Sequence, residues 1–272
     1  MKKILKRFME VLKRFMEVLK TPELRILPGQ LAFYFLMSII PIIMLVFLLV
    51  SRLTIDVNII ETLEKTLPDA LAKLLLPLVN MNISNIPFAI LFVGYLVLAS
   101  NGPRSICIAS NALYKLEQPN TIDLYIKSFV MTIFMIILFI FMIFIPIFGE
   151  TIIKFILDLF NSSFIFSKYK VLYDIIKVLI SFVFIYVSVK ALYTIAPNSK
   201  IETKKATKGA LFCSFTWIIA TSIFSFYISN IANYTLLYGN FANILILLLW
   251  IYLLAYLFVI GMAININAYY KK

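Results

Sequence analysis

The sequence predicts an all-α fold, a polytopic membrane bundle of about six transmembrane helices preceded by an amphipathic interfacial helix. Three observations carry that prediction. From Gly209 to Tyr270 there is no Lys, Arg, Asp or Glu, whereas roughly a quarter of an average soluble domain is charged. Apolar residues make up 62% of the chain and the mean hydropathy is +0.99. Apolar runs also recur at the ~20-residue length of a span, with the net charge of +12 gathered mostly between them. Two regions follow: a cytoplasmic amphipathic segment over residues 1–30, and a transmembrane domain over residues 31–270.

The first segment holds a perfect tandem repeat, Lys6-Arg7-Phe8-Met9-Glu10-Val11-Leu12 recurring as Lys13-Arg14-Phe15-Met16-Glu17-Val18-Leu19. A duplicated heptad preserves a helical face, drifting only about 20°. Phe8, Val11, Leu12, Phe15, Val18 and Leu19 make the apolar side, and Glu10 precedes Arg14 by four residues, a favourable pair. An interfacial helix on an anionic membrane surface fits this pattern, with a short coiled coil as its rival. The stretch lacks the unbroken apolar core and small-residue cleavage site of a signal peptide.

The spans follow in order. Leu31–Ser51 is closed by Arg52; the second begins near Phe88 and runs through Arg104 to about Leu113. Ser128–Phe148 is the third, interrupted only by Pro146. The fourth lies between about Val171 and Ala196, where Lys177 and Lys190 snorkel toward opposite interfaces. The long charge-free run divides at Asn233–Asn240 into Ala210–Ile231 and Phe241–Ile264. Lys and Arg gather in the N-terminal segment (Lys2 to Arg25), after span four (Lys200, Lys204, Lys205, Lys208) and at Lys271–Lys272. The positive-inside rule therefore makes both termini cytoplasmic. The first outer loop instead carries Asp56, Glu61, Glu64 and Asp69 against Arg52, Lys65 and Lys73.

Composition also narrows function. The chain has no His, which removes the commonest general base and metal ligand together. Cys107 and Cys213 lie in separate apolar segments without a CxxC pattern, as buried thiols do. The basic residues form no soluble platform with stacking aromatics, which argues against nucleic acid as a partner. There is no Gly-rich Lys loop for a nucleotide, and no cofactor is expected.

Candidate functional residues are the polar ones inside spans. Pro41 follows Ser38 in span one, where a kink is a gating hinge or static packing, and Ser38 is placed to satisfy a freed backbone group. In span two, Ser100, Arg104, Cys107 and Asn111 share a helical face, and Asn101, Gly102 and Pro103 loosen the helix above it. An intramembrane Arg needs water, a protein partner or an anionic headgroup. Two readings stand: Arg104 contacts a phosphate or carboxylate with support from Ser100, Asn101 and Asn111, or it snorkels while Asn111 bonds helix ends. Ser214, Thr221 and Ser225 form a small-residue packing stripe beside Trp217 and Tyr227. Trp250 and Tyr252, deep in span six, need bonding partners inside the bundle. Gly261 and Asn265 lie one turn apart near its cytoplasmic end.

Three of these stretches together resemble the YihY/BrkB family of bacterial inner-membrane proteins. They are Ala32-Phe33-Tyr34 with Ser38 and Pro41; Leu192-Tyr193-Thr194-Ile195-Ala196-Pro197-Asn198 before a basic connection and Gly209-Ala210; and Tyr238-Gly239-Asn240-Phe241-Ala242 before Trp250, Tyr252 and Gly261-Met262-Ala263-Ile264-Asn265. Trp217 and Tyr227 fall where the family's fifth span carries them. The family's last motif commonly reads Gly-Ala-Glu-Leu-Asn; Ala263 stands in place of the Glu, so no role of that acid transfers. The resemblance implies six spans in an inner membrane and a part in transport across, or maintenance of, the envelope, including lipid movement. Some members carry a ribonuclease label, which scattered acids and absent His do not support. The expected partners are membrane lipids, anionic ones included, with a second membrane protein or self-association also compatible. A transporter or flippase-like protein for an amphiphile, with a groove lined by spans one, two and six, and a non-transporting envelope scaffold are the competing readings.

Overall fold

The computed structural model describes residues 22–50, 88–138, 170–230 and 242–270, and the described residues are helical with no strand among them. Helix α1 is Pro22–Val50, α2 is Phe88–Ala99 and α3 is Asn101–Leu113. They are followed by α4 over Thr121–Leu138, α5 over Lys170–Ile195, α6 over Thr207–Asn230 and α7 over Ala242–Tyr270. Taking α2 and α3 as one broken helix, six helices among the described residues are long and apolar enough to cross a membrane.

Charge-free runs mark where hydrocarbon begins, not where a helix begins, and three boundaries differ for that reason. Helix α1 starts at Pro22, ahead of Leu31. Proline suits a first helical position and Glu23 suits the positive helix end, while Leu24, Leu27 and Leu31 bury one face. Helix α4 starts at Thr121 rather than Ser128, taking Asp123 and Lys127 into its opening turns. Helix α7 continues past Ile264 to Tyr270. The duplicated heptad, the acidic outer loop, residues 139–148 and the Asn233–Asn240 connection lie outside the described residues, and with them Tyr238 and Gly239.

Neighbouring helices run α5, α6, α7, α1 and then α2–α3, with α3 also touching α7. Helix α4 joins α3 through contacts described below. Exposure is inverted relative to a soluble protein. Val178, Leu179, Val183 and Val187 on α5, and Phe215, Ile223 and Phe226 on α6, face outward, as lipid-facing surfaces do. Inside, Phe258 of α7 is a hub: its ring lies 4.7 Å from Tyr193 of α5, and 6.2 Å from both Trp217 of α6 and Phe35 of α1. Each such aromatic pair contributes about 1 kcal/mol beyond burial.

Hydrocarbon offers no hydrogen bonds, so hydroxyls in the spans must find them within the protein. Most bond back to their own helix, including Ser128 to the Leu124 carbonyl, Thr132 to Ser128, Ser188 to Phe184 and Ser214 to Ala210, at 2.6–2.8 Å. Helix α3 stops in a paired-carbonyl cap. The Leu116 N–H reaches the Asn111 carbonyl and the Lys115 N–H reaches that of Ala112, with Lys115 at φ 51°.

Candidate functional site

The break between α2 and α3 falls at Ser100, where the helix hydrogen-bonding pattern has lost two members. Pro103 has no N–H for the Ala99 carbonyl. Gly102 turns its N–H away, donating to Ser38 Oγ of α1 at 2.7 Å. Ser38 is 3% exposed, so this bond is sheltered from competition. The freed backbone group that Ser38 satisfies therefore belongs to the second span, not to its own helix at Pro41. A Cβ at Gly102 would lie 2.8 Å from Ser38 Oγ; only glycine lets the helices meet here. Helix α1 itself passes through Pro41 without interruption.

Below the break, α3 faces α4. Cys107 Sγ lies 3.4 Å from Met131 Sδ, which fixes the register of the two helices. Arg104, one turn farther from the 114–120 connection than Cys107, does not reach straight across. Its Nη1 donates to Tyr125 Oη at 2.8 Å, with the guanidinium carbon 4.3 Å from the Tyr125 ring centroid. Tyr125 precedes Met131 by roughly 9 Å along the α4 axis. The arginine side chain thus runs back along α4 toward the end of the bundle that carries Lys115, Lys200, Lys204 and Lys208, a snorkelling path. Its Nε is buried with no acceptor among the described residues.

At that basic end the connection between α5 and α6 is strapped down. Asn111, fully buried, accepts the Asn198 N–H through Oδ1 at 2.7 Å and donates through Nδ2 to Gln118 Oε1 at 3.2 Å. Lys127 of α4 donates its ammonium to the Pro197 carbonyl at 2.5 Å. The family-pattern residues Pro197 and Asn198 are thus held by α3 and α4 together.

A second polar locus joins α5, α6 and α7. Gly209 donates its N–H, one of the unpaired donors at the start of α6, to Asn265 Oδ1 at 2.7 Å. A Cβ at Gly261 would lie 2.8 Å from the Gly209 carbonyl, so the two backbones cross almost in contact. Tyr193 Oη donates to the Phe258 carbonyl at 2.6 Å and Trp217 Nε1 to that of Leu254 at 2.9 Å. Asn265 Nδ2 is buried without a partner among the described residues.

The site residues expected from sequence separate accordingly. Ser38 on α1, Ser100 at the α2–α3 break, and Asn101, Arg104 and Asn111 on α3 form one group, with Asn101 half-buried and Ser100 bonded to the Val97 carbonyl at 2.7 Å. Gly209, Trp217, Gly261 and Asn265 gather at the other locus. Tyr34 packs edge-on against Phe33. Helix α6 meets α7 through Gly209, Cys213 and Trp217; of the small-residue stripe, Ser214 is buried while Thr221 faces outward, and the Ser225 side chain lies outside the described residues. Tyr252 and Tyr227 are likewise exposed, and Trp250 is half-buried; the indole with an interhelical bond is Trp217. Tyr125 and Lys127 hold polar contacts that their sequence positions did not single out, and Tyr193 stood only as part of a family-like stretch. For the first two the signal was present, an aromatic and a cation in the turn before a charge-free run.

The chain matches the family model described as virulence factor BrkB over residues 16–272. It is 28% identical over 249 residues to YfkH of Bacillus subtilis, named a ribonuclease-like protein, covering 90% of each chain. A UPF0761 membrane protein of Pseudoalteromonas translucida is 42% identical over 62 residues, 23% of this chain and 21% of that one. Another, from Chromobacterium violaceum, is 44% identical over 63 residues, 23% of this chain and 15% of that one. No solved structure matches. With six span-length helices and a family match across nearly its whole length, the chain belongs to the YihY/BrkB family of membrane proteins.

Proposed function

We propose that the protein handles an anionic lipid or other amphiphile of the cell envelope, holding its headgroup at Arg104 and moving it between leaflets as a transporter or flippase-like protein. The Arg104 guanidinium carries this reading: it belongs to a span, stacks on Tyr125 and has no acceptor for its Nε among the described residues. A charge in that setting is costly unless an anion or water meets it. Guanidinium engages phosphate oxygens two at a time and stays charged. Farther into the span, half-buried Asn101 and the α2–α3 break provide polar groups along the route a headgroup would take.

We read the protein as non-enzymatic. The chain lacks His, and the acids of the described residues, Glu23, Glu117, Asp123, Asp174 and Glu202, sit at helix ends or in connections. Nothing there supplies an acid–base pair at a shared site. The same distribution leaves no mid-span acid for proton coupling, so movement is passive or driven by a partner. A cytoplasmic-membrane location with both termini cytoplasmic is supported by the Lys2–Arg25 and Lys200–Lys208 clusters.

A non-transporting scaffold is the second reading, favoured by the use of Ser38, Asn111 and Asn265 in bonds between helices. Purification into native lipid particles with mass spectrometry of bound lipids separates the two. Arg104→Ala should deplete one headgroup class at unchanged protein level, and Arg104→Lys should deplete it partly. Identical lipid sets for wild type and Arg104→Ala would favour the scaffold.

A further inference from the structure

We infer that spans one and two share a hinge at the level of Ser38 and Gly102, on which α2 and the end of α1 swing together as a flap. The buried apolar residues divide at that level. On one side, Leu27 and Leu31 of α1 belong with Ile106 and Ala109 of α3 to the large core. On the other, Ile42 and Leu45 of α1 form a separate small cluster with Leu96 and Ala99 of α2. Ile136 of α4 is the member of that cluster that comes from another span. The bond from the Gly102 N–H to Ser38 Oγ sits at the seam between the two groups.

Both spans are weakened where they cross the seam. Pro41, three residues past Ser38, has no N–H for the Met37 carbonyl, and Pro103, next to Gly102, has none for the Ala99 carbonyl. Two helices with a missing bond at one level can bend there together, and neither could follow the other if only one were weakened.

The seam also holds a donor with two possible acceptors. Because the Gly102 N–H goes to Ser38, the Leu98 carbonyl, its acceptor in a continuous helix, has no backbone donor among the described residues. Hydrocarbon offers that carbonyl no substitute. The chain has meanwhile kept close to helical form. Ser100 stays in the right-handed region, at φ −68° and ψ −14°, and its carbonyl still accepts the Arg104 N–H at 2.9 Å. Small dihedral changes therefore return the Gly102 N–H to Leu98. One hydrogen bond replaces another, so the exchange is nearly balanced and packing across the seam decides it. Closing the break straightens span two and re-aims α2; Ile42 and Leu45, packed on α2, follow it as α1 bends at Pro41.

The opposite end of the bundle does not share this freedom, because Asn111 and Lys127 tie down the connection between α5 and α6. The hinge thus gates the end of the bundle away from the basic connection, whatever Arg104 binds.

Spin labels at Val93 on α2 and Phe215 on α6, both exposed, test this by pulsed dipolar distance measurement. The full chain is used in nanodiscs, with Cys107 and Cys213 changed to Ala. Wild type should give a main distance and a minor second one. Ser38→Ala removes the acceptor across the seam, and Pro103→Ala gives the Ala99 carbonyl an N–H. Each should raise the second population about fivefold, the effect of one hydrogen bond. Pro41→Ala restores the Met37 bond and stiffens α1, so combined with Ser38→Ala it should suppress the rise. One distance, unchanged among wild type, Ser38→Ala and Pro103→Ala, would overturn the hinge and make the Ser38–Gly102 bond static packing. A rise in Ser38→Ala that Pro41→Ala leaves untouched would overturn the shared flap, since α2 would then move without α1.

Discussion

At Gly209 a Cβ would run into the Gly261 carbonyl and the Asn265 amide, whereas at Gly94 it meets nothing within 4 Å. Gly209→Ala should therefore cost about 3 kcal/mol or more, because backbone cannot move aside as a flexible side chain can. Gly94→Ala, in an open helical position, should be neutral or stabilising by up to about 1 kcal/mol. Thermal unfolding of both variants in one detergent checks the contrast, and equal shifts would show that α6 and α7 do not cross there. At this scale the sequence was legible where chemistry is unusual for its place. Arg104 announced itself as a charge inside an apolar run. Its contact with Tyr125 did not, because a long side chain running along the neighbouring helix leaves no trace in spacing. The Asn111–Asn198 bond spans 87 positions, and no local pattern reports a pairing at such separation.

Among the elements, the α2–α3 break was readable from Asn101, Gly102 and Pro103, residues that weaken a helix through lost donors and backbone freedom. What the break is pressed against was not readable, since Ser38 lies in another span. The helix starts at Pro22 and Thr121 were hidden for a related reason: charged residues belong to a helix once its end leaves the hydrocarbon. The strap between α5 and α6 rests on two bonds from different helices. Asn111→Leu removes the acceptor of the Asn198 N–H, a loss of about 1 kcal/mol because exposed Asn198 can turn its N–H to water. A cysteine placed at Ser199, with Cys107 and Cys213 changed to Ala, should then react several-fold faster with an impermeant thiol reagent than in the Asn111 background. An unchanged rate would assign the strap to Lys127 alone.

For the whole molecule, the number of spans was the most legible property, because the hydrocarbon thickness imposes a length that runs of Leu, Ile and Phe reveal directly. The order of helices around the bundle was not, since lipid-facing and core-facing residues are equally apolar here. Phe215 is exposed and Phe258 buried, and no hydropathy scale tells them apart. Orientation carries its own test. Reporter fusions after Lys272 and within Glu61–Lys73 should report opposite sides, with the former cytoplasmic; an external C-terminal reporter would reverse the arrangement. The hub at Phe258 has a consequence for biosynthesis. Helix α7 follows the other described spans in the chain, yet α1, α5 and α6 all set an aromatic ring against Phe258. During translation those earlier helices enter the bilayer before the surface that will join them has been made. They wait there with the Trp217 indole and Tyr193 hydroxyl lacking their final acceptors, the carbonyls of Leu254 and Phe258. The nascent chain is therefore most in need of an insertase or membrane chaperone just before its closing helix emerges, and a ribosome stalled ahead of Ala242 leaves inserted helices without a centre.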